Sequence, residues 1–140
     1  MEGVFTKYTI RGIIHFAAYK AVDESIREPL KYYQNNIVSL LTVLQLAEKF
    51  GVENIIFSSS CTVYGEPKGV KTVSEDSEIQ TANSPYGNTK QIGEEIIDDL
   101  IKSVASIRII FFMAVIFDCY QGLLSHIRLF SFRNIPVCYR

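Results

Sequence analysis

Tryptophan is absent from these 140 residues, proline occurs only four times and cysteine only three times. The cysteines, Cys61, Cys119 and Cys138, are odd in number and form no Cys-x-x-Cys pair. That excludes a disulfide framework and a zinc-ligand spacing, and a reducing compartment is the simplest expectation. Long apolar runs are missing too. The longest, Ile109 to Phe117, has nine residues, and a bilayer span needs about 20. Met1-Glu2-Gly3 does not open a secretory signal, so a cytoplasmic location without membrane contact is expected. There is no excess of charge: the net value is −1 and no basic stripe exists, so nucleic acid is not an expected partner. What remains is 48% apolar and 21% charged, enough for a core and for at most one domain.

The chain alternates two patterns. Ile13-Ile14-His15-Phe16-Ala17 is a short β-branched run behind Gly12, as in a strand buried on both faces of a parallel sheet. Val22 to Glu28 turns amphipathic, and Pro29 marks a break or a new helix start. Ile37, Leu40, Leu41, Leu44 and Ala47 then repeat at helical spacing until Gly51, a stop signal. Ile55-Ile56-Phe57 reads as a second strand ending in Ser58-Ser59-Ser60. Residues 65–83 read as a long loop, the kind that carries function. Ser84 caps a helix with Pro85 at its first position, and Ile92, Ile96, Ile97 and Leu100 form its apolar face. Ile107 to Phe112 makes a third strand. Strand, helix, strand, helix, strand is the signature of an α/β parallel sheet, with ligands expected at the strand ends near Ala17-Ala18 and Ser59-Ser60. After Phe112 the text has no clean period, beyond a short helix expected near 121–130.

The chemistry-bearing pair is Tyr86 and Lys90. Four residues apart on a helix, they share a face. A nearby ammonium pulls a phenol down from about 10 toward neutrality and makes it a usable proton acceptor. Alone, Tyr-x-x-x-Lys is a weak signal that two solvated residues would also satisfy. The serines at the end of a buried strand strengthen it. Plainer readings hold elsewhere. His15 is expected as a core histidine, Cys61 as a small filler with no His beside it, and Tyr32-Tyr33 and Tyr64 as packed aromatics. Glu94-Glu95 and Asp98-Asp99 are expected on a solvated helix face, and His126 has no partner pattern.

Four segments resemble the UDP-glucose (UDP-galactose) 4-epimerases of the extended short-chain dehydrogenase/reductase family, over about Val4 to Lys102. They are His15-Phe16-Ala17-Ala18-Tyr19-Lys20-Ala21-Val22 with Glu24-Ser25, Tyr32-Tyr33-Gln34-Asn35-Asn36, the run from Phe57 to Gly65, and Ser84-Pro85-Tyr86-Gly87-Asn88-Thr89-Lys90. The resemblance implies tightly held NAD and epimerisation of a UDP-hexose by transient oxidation at sugar C4. It makes Tyr86 the base, Lys90 its activator and a ligand of the nicotinamide ribose, and Ser60 a bridge between sugar and phenol. It gives Thr62 to the sugar, Lys20 to the NAD pyrophosphate and Asn35 to cofactor anchoring. Phe16, Ala17 and Ser58 join them along the cofactor. A homodimer of the full-length parent stays open.

Two departures qualify the expectation. No Gly-rich G-x-x-G-x-x-G or G-x-G-x-x-G turn occurs, nor an acidic residue placed to follow it. After Arg108 the family's sequence no longer aligns. The expected fold is therefore α/β: a partial Rossmann-like NAD-binding sheet over residues 1–112, with the first βαβ units and the C-terminal substrate domain missing. Residues 113–140 form an unassigned tail. Without a first strand, Gly12 to Phe16 would be an open apolar edge. Two alternatives stand beside epimerisation. One is a non-catalytic fragment without tight NAD binding. The other is a nucleotide-sugar 4,6-dehydratase, against which Cys61-Thr62-Val63 stands where an Asp-Glu pair would be needed.

Overall fold

The computed structural model describes residues 1–65, 77–104 and 106–113. Three parallel strands form one sheet in the order β1 (Ile13–His15), β2 (Asn54–Ser59), β3 (Arg108–Met113). Ile13 pairs with Ile55 and His15 with Phe57, while Asn54 pairs with Arg108 and Ser59 with Met113. A short helix α1 (Glu2–Lys7) precedes the sheet. Helices α2 (Val22–Arg27) and α3 (Pro29–Phe50) connect β1 to β2, and α4 (Pro85–Ser103) connects β2 to β3.

The expected elements are present within a residue or two at their ends. Pro29 begins α3, and Gly51 at φ 65° closes it in the left-handed conformation that a side chain would resist. The Ser84 side chain accepts from the Gly87 N–H and so caps α4. Helix α1 was not foreseen. Its six residues have no apolar stripe; it is tied down by Phe5 against Phe50 and by an ion pair between Glu2 and Lys49. Positions 66–76 of the expected loop and residues 114–140, with the helix expected there, Cys119, Cys138 and His126, lie outside the described residues.

Strands running the same way in sequential order, joined by right-handed crossovers, place both sets of helices on one side of the sheet. The core therefore forms on that side. Ile55, Phe57 and Ile109 meet Leu40, Leu44 and Ala47 of α3 and Ile97 of α4, with Ile13 and Phe111 packed at the margin. Each fully buried aliphatic side chain contributes roughly 1.5–3 kcal/mol. Successive strand residues alternate faces, so Ile14, Phe16 and Ile110 point away from this core. Ile14 is 61% exposed and Phe16 55%. The expectation that β1 is buried on both faces is thus corrected: only one face is covered among the described residues. Among the described residues β1 pairs with β2 alone.

Candidate active site at the strand ends

Strand β2 delivers the serines. Ser59 and Ser60 are buried, and the Ser60 side chain caps a 3-10 turn, Cys61–Tyr64. Its Oγ accepts from the Thr62 N–H at 3.3 Å and from the Thr62 hydroxyl at 3.0 Å. Gly65 closes this turn at φ 61°, and a Cβ there would lie 2.4 Å from the Thr81 carbonyl oxygen, so only glycine fits.

Helix α4 is laid against this turn. A Cβ on Gly87 would stand 3.2 Å from both Thr62 Cβ and the Thr62 carbonyl oxygen. The missing side chain thus lets the helix start approach Thr62, and with it the neighbouring Tyr86. Further along, Gln91 Nε2 donates to the carbonyls of Val63 (2.7 Å) and Gln80 (2.6 Å). Gly93 does for the core what Gly87 does for the site: a Cβ there would come within 3.0 Å of the Phe57 ring.

Lys90 is 5% exposed. Its ammonium donates to the Ser58 carbonyl at 2.7 Å and stands 4.8 Å from the centre of the Phe57 ring. Burial pulls its pKa down from 10.5 to about 8, and Glu94 one turn along the helix opposes the fall. The ammonium has three donors and one acceptor among the described residues. His15, buried in β1 and stacked on Phe57 at 6.0 Å, is the core histidine expected. Desolvation lowers its pKa and the Lys90 charge lowers it further.

Tyr86 is half-buried at the first turn of α4, and its carbonyl accepts from the Thr89 hydroxyl at 2.7 Å. Among the described residues no hydrogen bond joins its phenol to Lys90, whose bond goes to β2 instead. Tyr86, Lys90, Ser58, Ser60 and Thr62 are nevertheless brought to one place, where the end of β2 meets the start of α4. The residues assigned to the other half are less engaged. Phe16 and Ala17 lie exposed after β1, with the Phe16 ring edge-on to Phe112 at 5.7 Å. Lys20 is exposed, and Asn35 Nδ2 donates to Asn36 Oδ1 at 3.0 Å.

The sequence reading passed over the residue that joins the two halves. Asn36 accepts from the Tyr19 N–H (2.8 Å) and donates to the Tyr19 carbonyl (3.0 Å) and the Thr89 hydroxyl (3.1 Å). It is buried, and so is Thr89, whose hydroxyl donates in turn to the Tyr86 carbonyl. A signal was available: Tyr32, Asn36 and Leu40 follow at helical spacing, so Asn36 falls on the buried stripe of α3. Tyr32 is a core aromatic, as expected, with its hydroxyl donating to Glu24 at 2.6 Å. Tyr33 is only partly buried and accepts from Asn88 Nδ2 at 2.7 Å. Glu94 departs from the solvated face expected of it: it is half-buried and accepts from the Ser59 hydroxyl. Glu95, Asp98 and Asp99 are exposed as expected. Cys61 is an exposed free thiol, not a packed filler, because the 3-10 turn directs its neighbours Val63 and Tyr64 inward instead.

A parallel sheet with titratable and hydroxyl side chains gathered beyond its strand ends defines an α/β protein of the open-sheet kind, in which ligand sites lie beyond the strand ends. The match to the NAD dependent epimerase/dehydratase family spans residues 1–116, and the chain belongs to that family. It is 42% identical over 103 residues to the UDP-glucose 4-epimerase of Haemophilus influenzae, covering 74% of this chain and 30% of that protein. With the enzyme of Dictyostelium discoideum the identity is 48%, over 74% of this chain and 29% of that one. The crystal structure of UDP-glucose 4-epimerase from Bifidobacterium longum, in complex with NAD+ and UDP, superimposes with a TM-score of 0.76. The identity there is 41%, and the match covers 79% of this chain and 32% of that one. The chain thus spans about a third of the length of the relatives it matches. Among the described residues no helix is long and apolar enough to cross a membrane.

Proposed function

We propose that this chain carries the acid/base half-site of a UDP-glucose 4-epimerase, which interconverts UDP-glucose and UDP-galactose with NAD as the resident cofactor. The observation that carries the reading is the meeting of Ser60, Thr62, Tyr86 and Lys90 at the β2–α4 junction, with the ammonium buried on the Ser58 carbonyl. Tyr86 takes the proton of the sugar C4 hydroxyl and later returns it. Lys90 supplies positive charge beside the phenol, and Ser60 and Thr62 present hydroxyls to the sugar. A positioned base of this kind contributes about 10²–10⁴-fold.

The residues present fit the nicotinamide-ribose end of NAD. Lys90 retains two donors for a ribose diol, Asn35 keeps its carbonyl oxygen as an acceptor, and Phe16 and Ala17 offer apolar surface. For the pyrophosphate the sequence supplies Lys20 but no Gly-rich turn. When bound, NAD would accept and return the C4 hydride. A cytoplasmic location and a UDP-hexose substrate go with this reading.

The test is turnover of UDP-galactose by this chain with NAD supplied, in wild type and Tyr86→Phe. The expected result is interconversion that falls at least ~100-fold in the variant. Undiminished turnover in Tyr86→Phe would remove the phenol from the mechanism. A 4-keto-6-deoxy product would instead make the chain a dehydratase. A second reading is a non-catalytic segment. Calorimetric titration separates the two, since micromolar NAD affinity of these 140 residues opposes the second.

A further inference from the structure

Two consecutive residues at the end of β2 are held by α4 in different ways, and a third follows them into the 3-10 turn. The Ser58 carbonyl accepts from Lys90, the Ser59 hydroxyl donates to Glu94, and Ser60 follows as the cap of the 3-10 turn. Lys90 and Glu94 are four residues apart and lie on one face of α4. Ser59 and Lys90 are buried and Glu94 is half-buried. We propose that Glu94 is a positioning residue: with Lys90 it forms a two-point clamp on Ser58-Ser59 that sets Ser60 and the ammonium in place against the start of α4. The proposal rests on the epimerase reading for its purpose, but not for its geometry.

Two consequences separate the clamp from a plain packing contact. The ladder to β3 holds the strand backbone as far as Ser59 and Met113, and the two bonds from α4 add a hold on the helix side that fixes how the strand end, and Ser60 after it, meets the start of α4. The carboxylate also places a negative charge one turn from a buried cation. Among the described residues the charged group that acts on Lys90 is this Glu94, and the titratable group facing it from β1 is His15, on which the Lys90 charge acts. Phe57 and the Ser58 carbonyl, on β2, carry no charge. Glu94 is therefore the counter-charge of a lysine whose burial disfavours its protonated form.

The experiment is a pH titration of the Lys90 side chain by NMR on isotope-labelled chain, in wild type and Glu94→Gln, alongside amide exchange at Thr62 in wild type and Ser59→Ala. Glu94→Gln keeps an oxygen for the Ser59 hydroxyl, so the fold is retained and only charge is lost. Its Lys90 midpoint is expected to fall by about one pH unit. In Ser59→Ala the Thr62 amide, bonded to Ser60 Oγ, is expected to exchange roughly tenfold faster, as for one lost hydrogen bond to a charged group. An unmoved midpoint in Glu94→Gln, or unchanged exchange in Ser59→Ala, overturns the clamp. Failure of the catalytic reading shows separately: Tyr86→Phe would keep its turnover while both of these shifts occur.

Discussion

One sheet has two very different faces. On the helix side, Ile55, Phe57 and Ile109 are sealed by α3 and α4, and the polar groups that reach this layer are paired. On the far side Ile14, Phe16 and Ile110 stand exposed, although the residue types are the same. The difference is not one of local propensity. Both crossovers turn the same way, so every helix they contribute lands on one face. Parallel sheets ordinarily have both faces covered. The lesson is that the covered face brings its own site with it, because the helix that seals the core also carries Tyr86 and Lys90. The Phe16–Lys20 half is tied in by the Asn36 hydrogen bonds to Tyr19 and by ring contacts of Phe16 with Phe112 and of Tyr19 with Tyr32.

The sharpest way to break this comparison is to hollow out the sealed face. Ile97→Ala removes a side chain with no exposed surface and is expected to cost about 2–5 kcal/mol by denaturant unfolding. A cost under ~1 kcal/mol would mean that the two faces are equally loose.

Next in size is the buried cation. The unfolded chain holds the Lys90 proton up to 10.5, while the folded one releases it near 8. Between these values the unfolded state binds more protons, so stability rises with pH across that window. The full gain is roughly 3 kcal/mol. Lys90→Met should abolish this rise, measured as the difference between the two pH–stability curves; parallel curves would place the ammonium in water. Asn36→Ala strands the Tyr19 backbone groups and the Thr89 hydroxyl and is expected to cost about 1–3 kcal/mol. It should also speed exchange of the Tyr19 amide more than that of amides in α1. Uniform acceleration across both would show that Asn36 does not specifically hold the Tyr19 loop.

The smallest effect belongs to the open face. Ile14→Lys is expected to change stability by no more than ~0.5 kcal/mol, while sedimentation shows less self-association because a charge now interrupts the edge. A loss comparable to that of Ile97→Ala would mean that Ile14 is covered after all.

Much of this was legible in advance. Short β-branched runs and an apolar stripe at helical spacing reported β1, β2, α3 and α4, since each pattern is a local consequence of strand or helix period. The capping serine and Pro85 located the start of α4 almost to the residue. Helix α1 was illegible because its order comes from Phe50 and Lys49, more than 40 positions away. Asn36 was given no role and Glu94 was read as part of a solvated face, because their partners, Tyr19, Thr89 and Ser59, are distant in sequence. Lys90 was placed beside the phenol by its spacing, by the serines upstream and by the family resemblance; its bond to the Ser58 carbonyl was not legible, because that carbonyl lies 32 positions away.

Spacing and residue type determined which segments form strands and helices, and which side chains could do acid/base chemistry, because both are properties of neighbours along the chain. Which face is sealed, where the Lys90 ammonium is bonded, and that Glu94 and Asn36 hold the site together were decided only by the tertiary structure. Those outcomes depend on crossover handedness and on burial, and burial is set by groups that meet through space.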